Sequence, residues 1–187
     1  MSTAEVFRRI VATLDEAGIP FMLTGSFASS LHGVTRATQD IDLVIAPTED
    51  QLRELVAGLP ASEYYVDLDA ALEALKRQTQ FNVIDLSTGW KIDLVIRRDR
   101  AFSLVEFDRR LPVEYADVRL HVATAEDVII AKLEWAKMGG SQRQLEDVAG
   151  VLSLRKDEID LSYVETWVGK LGLTEQWAEA RRVAGVE

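Results

Sequence analysis

The sequence has no cysteine in its 187 residues. This excludes disulfides, thiolate catalysis and cysteine-ligated metal, and it fits a reducing compartment, so a cytoplasmic location is the expectation. Histidine is nearly as scarce. His32 and His121 are isolated, with no partner at ligand spacing, and read as packing or surface residues. No apolar run approaches a membrane span. The opening MSTAEVFRRIVATLDEAG reads as an amphipathic helix rather than a signal peptide. Positive charge is short as well. Lysine and arginine total 21 against 31 acidic residues, a formal net charge of −10. Basic residues cluster only briefly, as at Arg97-Arg98 and Arg109-Arg110, so the broad basic face of a general nucleic-acid binder is missing. Two motifs are also absent: the GxxxxGK[ST] phosphate loop and the GxSxG nucleophile elbow.

What is present is an ordinary apolar fraction, 48%, in a chain long enough for one substantial domain or a domain with a helical appendage. Apolar residues at helical spacing predict a helix over 3–17, stopped by Gly18 and Pro20. FMLT (21–24) reads as a short strand, followed by about two helical turns from Gly25. DIDLVIA (40–46) is a strand. Thr48 and Gln51 have capping-box spacing ahead of a helix to about Val56, and 69–77 reads as another helix. QFNVIDL (80–86) and KIDLVIR (91–97) form a hairpin around a Gly-containing turn. A short helix near 101–107 and one or two strands within 113–123 follow. From Thr124 the pattern is helical, with stops at Gly139-Gly140, a second capping-box spacing at Ser141 and Gln144, and two further helices near 160–171 and 174–184. Trp135 and Trp167 fall on these helices as core candidates. The expected organisation is an α+β core over 1–123 and a helical part over 124–187.

The strands carry the chemistry. Side chains alternate faces along a strand, so Asp40, Asp42 and Val44 share one face and Ile41, Leu43 and Ile45 the other. In KIDLVI, Asp93 and Val95 share a face. If the strands are neighbours, Asp40, Asp42 and Asp93 converge. Burying an unpaired carboxylate is costly and three together repel. A divalent cation removes both costs, and oxygen donors without histidine or cysteine suit Mg²⁺ or Mn²⁺. Asp85 is a rival third carboxylate, but its place at the hairpin suggests a turn cap. Gly25-Ser26 opens a helix, where free backbone N–H groups and the dipole favour phosphate.

Gly-Ser, a short helix, Asp-x-Asp on an apolar strand and a third Asp on a later strand together resemble the nucleotidyltransferase superfamily, with its DNA polymerase β-like fold. TGSFASSLHGVTRATQDIDLVI, FNVIDLSTGWKIDLVI and AEDVIIAKLEWAKMGGSQRQLEDVAGVL look most like the branch of AbiEii-type toxins and minimal nucleotidyltransferases. The resemblance implies a mixed sheet flanked by helices and a C-terminal helical part. It implies transfer of a nucleoside monophosphate from an NTP to an acceptor hydroxyl on RNA, protein or a small molecule. Asp40, Asp42 and Asp93 would be catalytic and bind Mg²⁺ or Mn²⁺. Gly25 and Ser26 would hold the triphosphate, with Arg36, Thr38 and Lys132 as further nucleotide-binding candidates. An antitoxin protein would be the partner. Arg143 and Asp147 match a basic-then-acidic pattern in relatives, or form a surface i,i+4 pair; Glu146 stands where many relatives carry a basic residue. Two rival classes remain: an NTP-binding module without turnover, and a protein-interaction module on the same fold.

Overall fold

The structure, a computed structural model, describes residues 3–33 and 38–186. In chain order the elements are α1 (Thr3–Glu16), β1 (Phe21–Thr24), α2 (Gly25–Leu31), β2 (Asp40–Ile45), α3 (Glu49–Ala57), β3 (Tyr64–Tyr65), α4 (Leu68–Arg77), β4 (Gln80–Asp85) and β5 (Lys91–Ile96). They continue with α5 (Ala101–Asp108), β6 (Leu111–Tyr115), β7 (Val118–Val122), α6 (Ala125–Gly139), α7 (Gln142–Arg155), α8 (Leu161–Leu171) and α9 (Thr174–Ala184). They fall into two compact units. One comprises residues 3–24 and 38–122; the other comprises 25–33 and 123–186.

The first unit holds a mixed sheet in the order β3-β4-β5-β2-β1-β7-β6. Pairs β2·β5 and β1·β7 are parallel and the rest antiparallel. Alternation shapes β2 and β5: Ile41, Leu43 and Ile45 are buried on one face, as are Ile92, Leu94 and Ile96, while Val44 and Asp93 are also buried on the other. Phe7, Ile10 and Leu14 of α1, Leu52 and Leu55 of α3, and Ala71 and Ala74 of α4 complete this core. Full burial contributes about 1.5–3 kcal/mol for each large apolar side chain. The expected Thr48–Gln51 capping box is formed in both directions. The two-residue strand β3 has no alternation to betray it and was not expected from sequence.

Asp85 is fully buried in this unit. It accepts from Ser87 Oγ at 2.6 Å, from the backbone N–H groups of Ser87 at 2.9 Å and Thr88 at 3.1 Å, and from Arg9 of α1. Burial pushes its carboxyl up, but these hydrogen bonds and the Arg9 charge prevail and hold it below the ordinary range. Asp85 therefore caps the β4–β5 turn, as its position suggested.

In the second unit α6 packs against α7 and α8, and α7 against α9. Thr124 caps α6 by accepting from Asp127 N–H at 3.2 Å. The Asp127 carboxylate takes the Thr124 hydroxyl at 2.7 Å and the Tyr163 hydroxyl at 2.7 Å. Two sequence expectations fail here. Ser141 precedes α7 without a side-chain cap bond; Gln144 N–H instead reaches the Ser141 carbonyl at 3.2 Å. Trp135 is 45% exposed while Trp167 is buried, because α6 turns Trp135 away from the face that buries Leu133 and Ala136.

Candidate active site

The parallel pairing of β2 and β5 sets Asp40 opposite Lys91 and Asp42 opposite Asp93. Antiparallel pairing extends the row: Thr24 of β1 stands opposite Asp42, and Asn82 of β4 opposite Asp93. Directly paired residues share a sheet face on strands about 4.8 Å apart. Asn82, Asp93, Asp42 and Thr24 thus form one row across four strands, with Asp40 and Lys91 on the same face two residues away. Asp85, an odd number of residues from Asn82, belongs to the opposite face and is no third site carboxylate.

The charges in this row are unequal. The Asp93 side chain is 10% exposed, that of Asp40 51%. Lys91 Nζ lies 2.8 Å from Asp93 Oδ2 and 3.8 Å from Asp40 Oδ1. The hydrogen bond to Asp93 raises the Lys91 pKa above its ordinary value; partial burial opposes this, and the charges of Asp93, Asp40 and Asp42 reinforce it. All three aspartates therefore act on one ammonium. Asp93 Oδ1 is buried and accepts no hydrogen bond. Among the described residues no group of three acidic or histidine side chains is arranged to hold a metal ion by itself; the lysine sits among the acids instead. The donor chemistry nevertheless fits a hard cation: an orphaned buried carboxylate oxygen beside a register-matched second aspartate.

The other expected residues are dispersed in role. Gly25 follows Thr24 by a peptide bond and takes φ +65°, a left-handed conformation that favours glycine. Ser29 Oγ donates to the Gly25 carbonyl and Ser30 Oγ to that of Ser26, both at 3.1 Å. The Ser26 residue is partly exposed. Thr38 Oγ1 accepts from Asp40 N–H at 3.2 Å and so fixes the start of β2. Arg36 lies outside the described residues. Lys132 is buried, donating to Asp147 Oδ2 at 2.7 Å and to Gln144 Oε1 at 3.1 Å. Asp147 is thus engaged with Lys132 in the core of this unit, and the surface pairing considered for it gives way to a buried one.

His32 Nε2–H donates to the Ala123 carbonyl at 2.8 Å. His121 is exposed on β7. Sequence reasoning missed Lys91. The signal was there: it lies two residues before Asp93, hence on the same strand face.

No family model matches the sequence, and no curated protein matches it. Solved structures do. The fold is similar to that of ANT(2")-Ia in complex with adenylyl-2"-tobramycin, at 17% identity and TM-score 0.59, over 95% of this chain and 99% of that one. It is similar to the lincosamide antibiotic adenylyltransferase LnuA, lincomycin-bound, at 14% identity and TM-score 0.55, over 82% of this chain and 98% of that one. An antigenic nucleotidyltransferase-like protein from Paracoccidioides brasiliensis matches at 14% identity and TM-score 0.54, over 94% and 91% of the two chains. Identities this low speak for the backbone and not for the chemistry. The chain has the nucleotidyltransferase fold.

Proposed function

We propose that this chain is a metal-dependent nucleotidyltransferase that moves a nucleoside monophosphate from an NTP to an acceptor hydroxyl. The observation that carries the reading is Asp42 in register with Asp93, whose buried Oδ1 has no partner. Asp40, Asp42 and Asp93 would hold Mg²⁺ or Mn²⁺. When bound, the ion supplies Lewis acidity at the reacting phosphate and neutralises the departing pyrophosphate. Asp93 would also help to activate the attacking hydroxyl by taking its proton. The new bond joins that hydroxyl oxygen to the α-phosphorus as the bond to pyrophosphate breaks. Gly25 and Ser26 would offer backbone and hydroxyl donors to the triphosphate, with Arg36 and Thr38 as further nucleotide-binding candidates. Lys132 is committed to Asp147 and Gln144, so a part for it in nucleotide binding requires that pair to loosen.

The finer placement, an AbiEii-like toxin with an antitoxin partner, rests on the sequence resemblance. Co-purification from the native cell tests it: recovery of the lone chain counts against a partner. The acceptor is RNA, a protein or a small molecule, and a net charge of −10 weighs against a polyanion. One observation favours the silent NTP-binding reading: Lys91 already holds a cation against Asp93 and near Asp40. Calorimetry with NTP and Mn²⁺, run beside mass spectrometry of candidate acceptors, separates the two. In the active reading Asp42→Asn leaves a folded protein that no longer transfers label; an unchanged rate contradicts it.

A further inference from the structure

This inference rests on the metal-dependent reading above. We infer that Lys91 is a built-in counter-ion that occupies the carboxylate site, and that a divalent cation must displace it, so that this one residue sets the affinity of the site for metal.

Three observations carry it. Lys91 stands opposite Asp40 in the β2·β5 register and two residues before Asp93, which directs its stem along the acidic row. Its ammonium is 2.8 Å from Asp93 Oδ2 and 3.8 Å from Asp40 Oδ1, bridging two of the three acids. It leaves Asp93 Oδ1 buried and unpartnered. A single ammonium therefore satisfies this site only in part, and a buried acceptor without a donor costs free energy. A divalent ion binding to the same carboxylates would meet a like charge at hydrogen-bond distance from its ligand. Lys91 is able to leave. Its side chain is 40% exposed, and its four-carbon stem lets the ammonium swing into water. Water can replace an ammonium this exposed at Asp93 Oδ2.

The test is Mn²⁺ binding to the full chain without nucleotide, followed by electron paramagnetic resonance, with circular dichroism and thermal melting on every variant. Lys91→Met should bind Mn²⁺ roughly tenfold more tightly than wild type. Lys91→Arg, which keeps the charge, should remain near wild type. Lys76→Met, on the exposed surface of α4, should change nothing, and Asp93→Asn should weaken binding. If Lys91→Met does not fold, Lys91→Gln replaces it with the same expectation. Unchanged or weaker binding in the neutral variants, with Asp93→Asn still weakening it, overturns the role of Lys91 and leaves the metal reading standing. Equal tightening by Lys91→Arg also overturns it, since charge would not be the cause. Absence of Mn²⁺ binding in all folded variants removes both.

Discussion

The two units each contain a close lysine–aspartate pair, and the pairs differ in the way that separates scaffolding from chemistry. Lys132 and Asp147 join α6 to α7, with side chains only 4% and 7% exposed, and Gln144 adds a second acceptor for the ammonium. Lys91 and Asp93 lie along one strand, with side chains 40% and 10% exposed. The sealed pair excludes water and leaves neither charge a route out. The open pair leaves one carboxylate oxygen orphaned while its cation is half in solvent. Burial makes an ion pair costly to break from one side; exposure makes it exchangeable. The first pair fits a structural strut, the second a site that waits for another cation.

Breaking the sealed pair should give the largest stability effect. Lys132→Met leaves Asp147 buried without its cation and should destabilise by about 3–5 kcal/mol, measured by urea denaturation. Lys132→Met combined with Asp147→Leu should recover most of that loss, because well-packed apolar residues can replace a buried pair. The matching change in the open pair, Lys91→Met, should cost clearly less than Lys132→Met, because the exposed Lys91 ammonium stands where water can take its place beside Asp93. Similar losses for Lys91→Met and Lys132→Met would erase the distinction.

Much of this contrast was invisible in the sequence, for a physical reason. Alternation in DIDLVI and KIDLVI gave the strands, their buried faces and the three aspartates, because a period of two is local. Register is not local: that Asp42 meets Asp93, and Asp40 meets Lys91, depends on residues 51 positions apart lying on parallel neighbouring strands. The cap at Thr48 was legible from its spacing to Gln51 and formed as expected. Ser141 had the same spacing and formed none, because its backbone carbonyl accepts from Gln144 instead. The burial of Lys132 could not be read at all, since it depends on α7 packing across α6.

A smaller effect should appear with pH, and within the helical unit. Burial holds the His32 ring below its ordinary value of 6.5; the hydrogen bond to Ala123 opposes this, the Arg155 charge reinforces it, and the Glu126 charge opposes it again. The unfolded chain then takes up the proton first. Stability from this group is complete above about pH 6.5 and falls as the pH drops below it toward the folded value. Denaturation curves should show stability rising with pH through that window, and His32→Gln should flatten the rise. A rise of the same size in the variant would place its origin elsewhere.

The most direct test of the account follows label from α-labelled NTP, in the presence of Mg²⁺ or Mn²⁺ and an extract of the native cell. Wild type should pass nucleoside monophosphate to one fraction of the extract, and Asp93→Asn, still folded, should lose roughly a hundredfold or more of that rate. Transfer by Asp93→Asn at the wild-type rate, or no transfer by wild type with any of the four nucleotides, would contradict it.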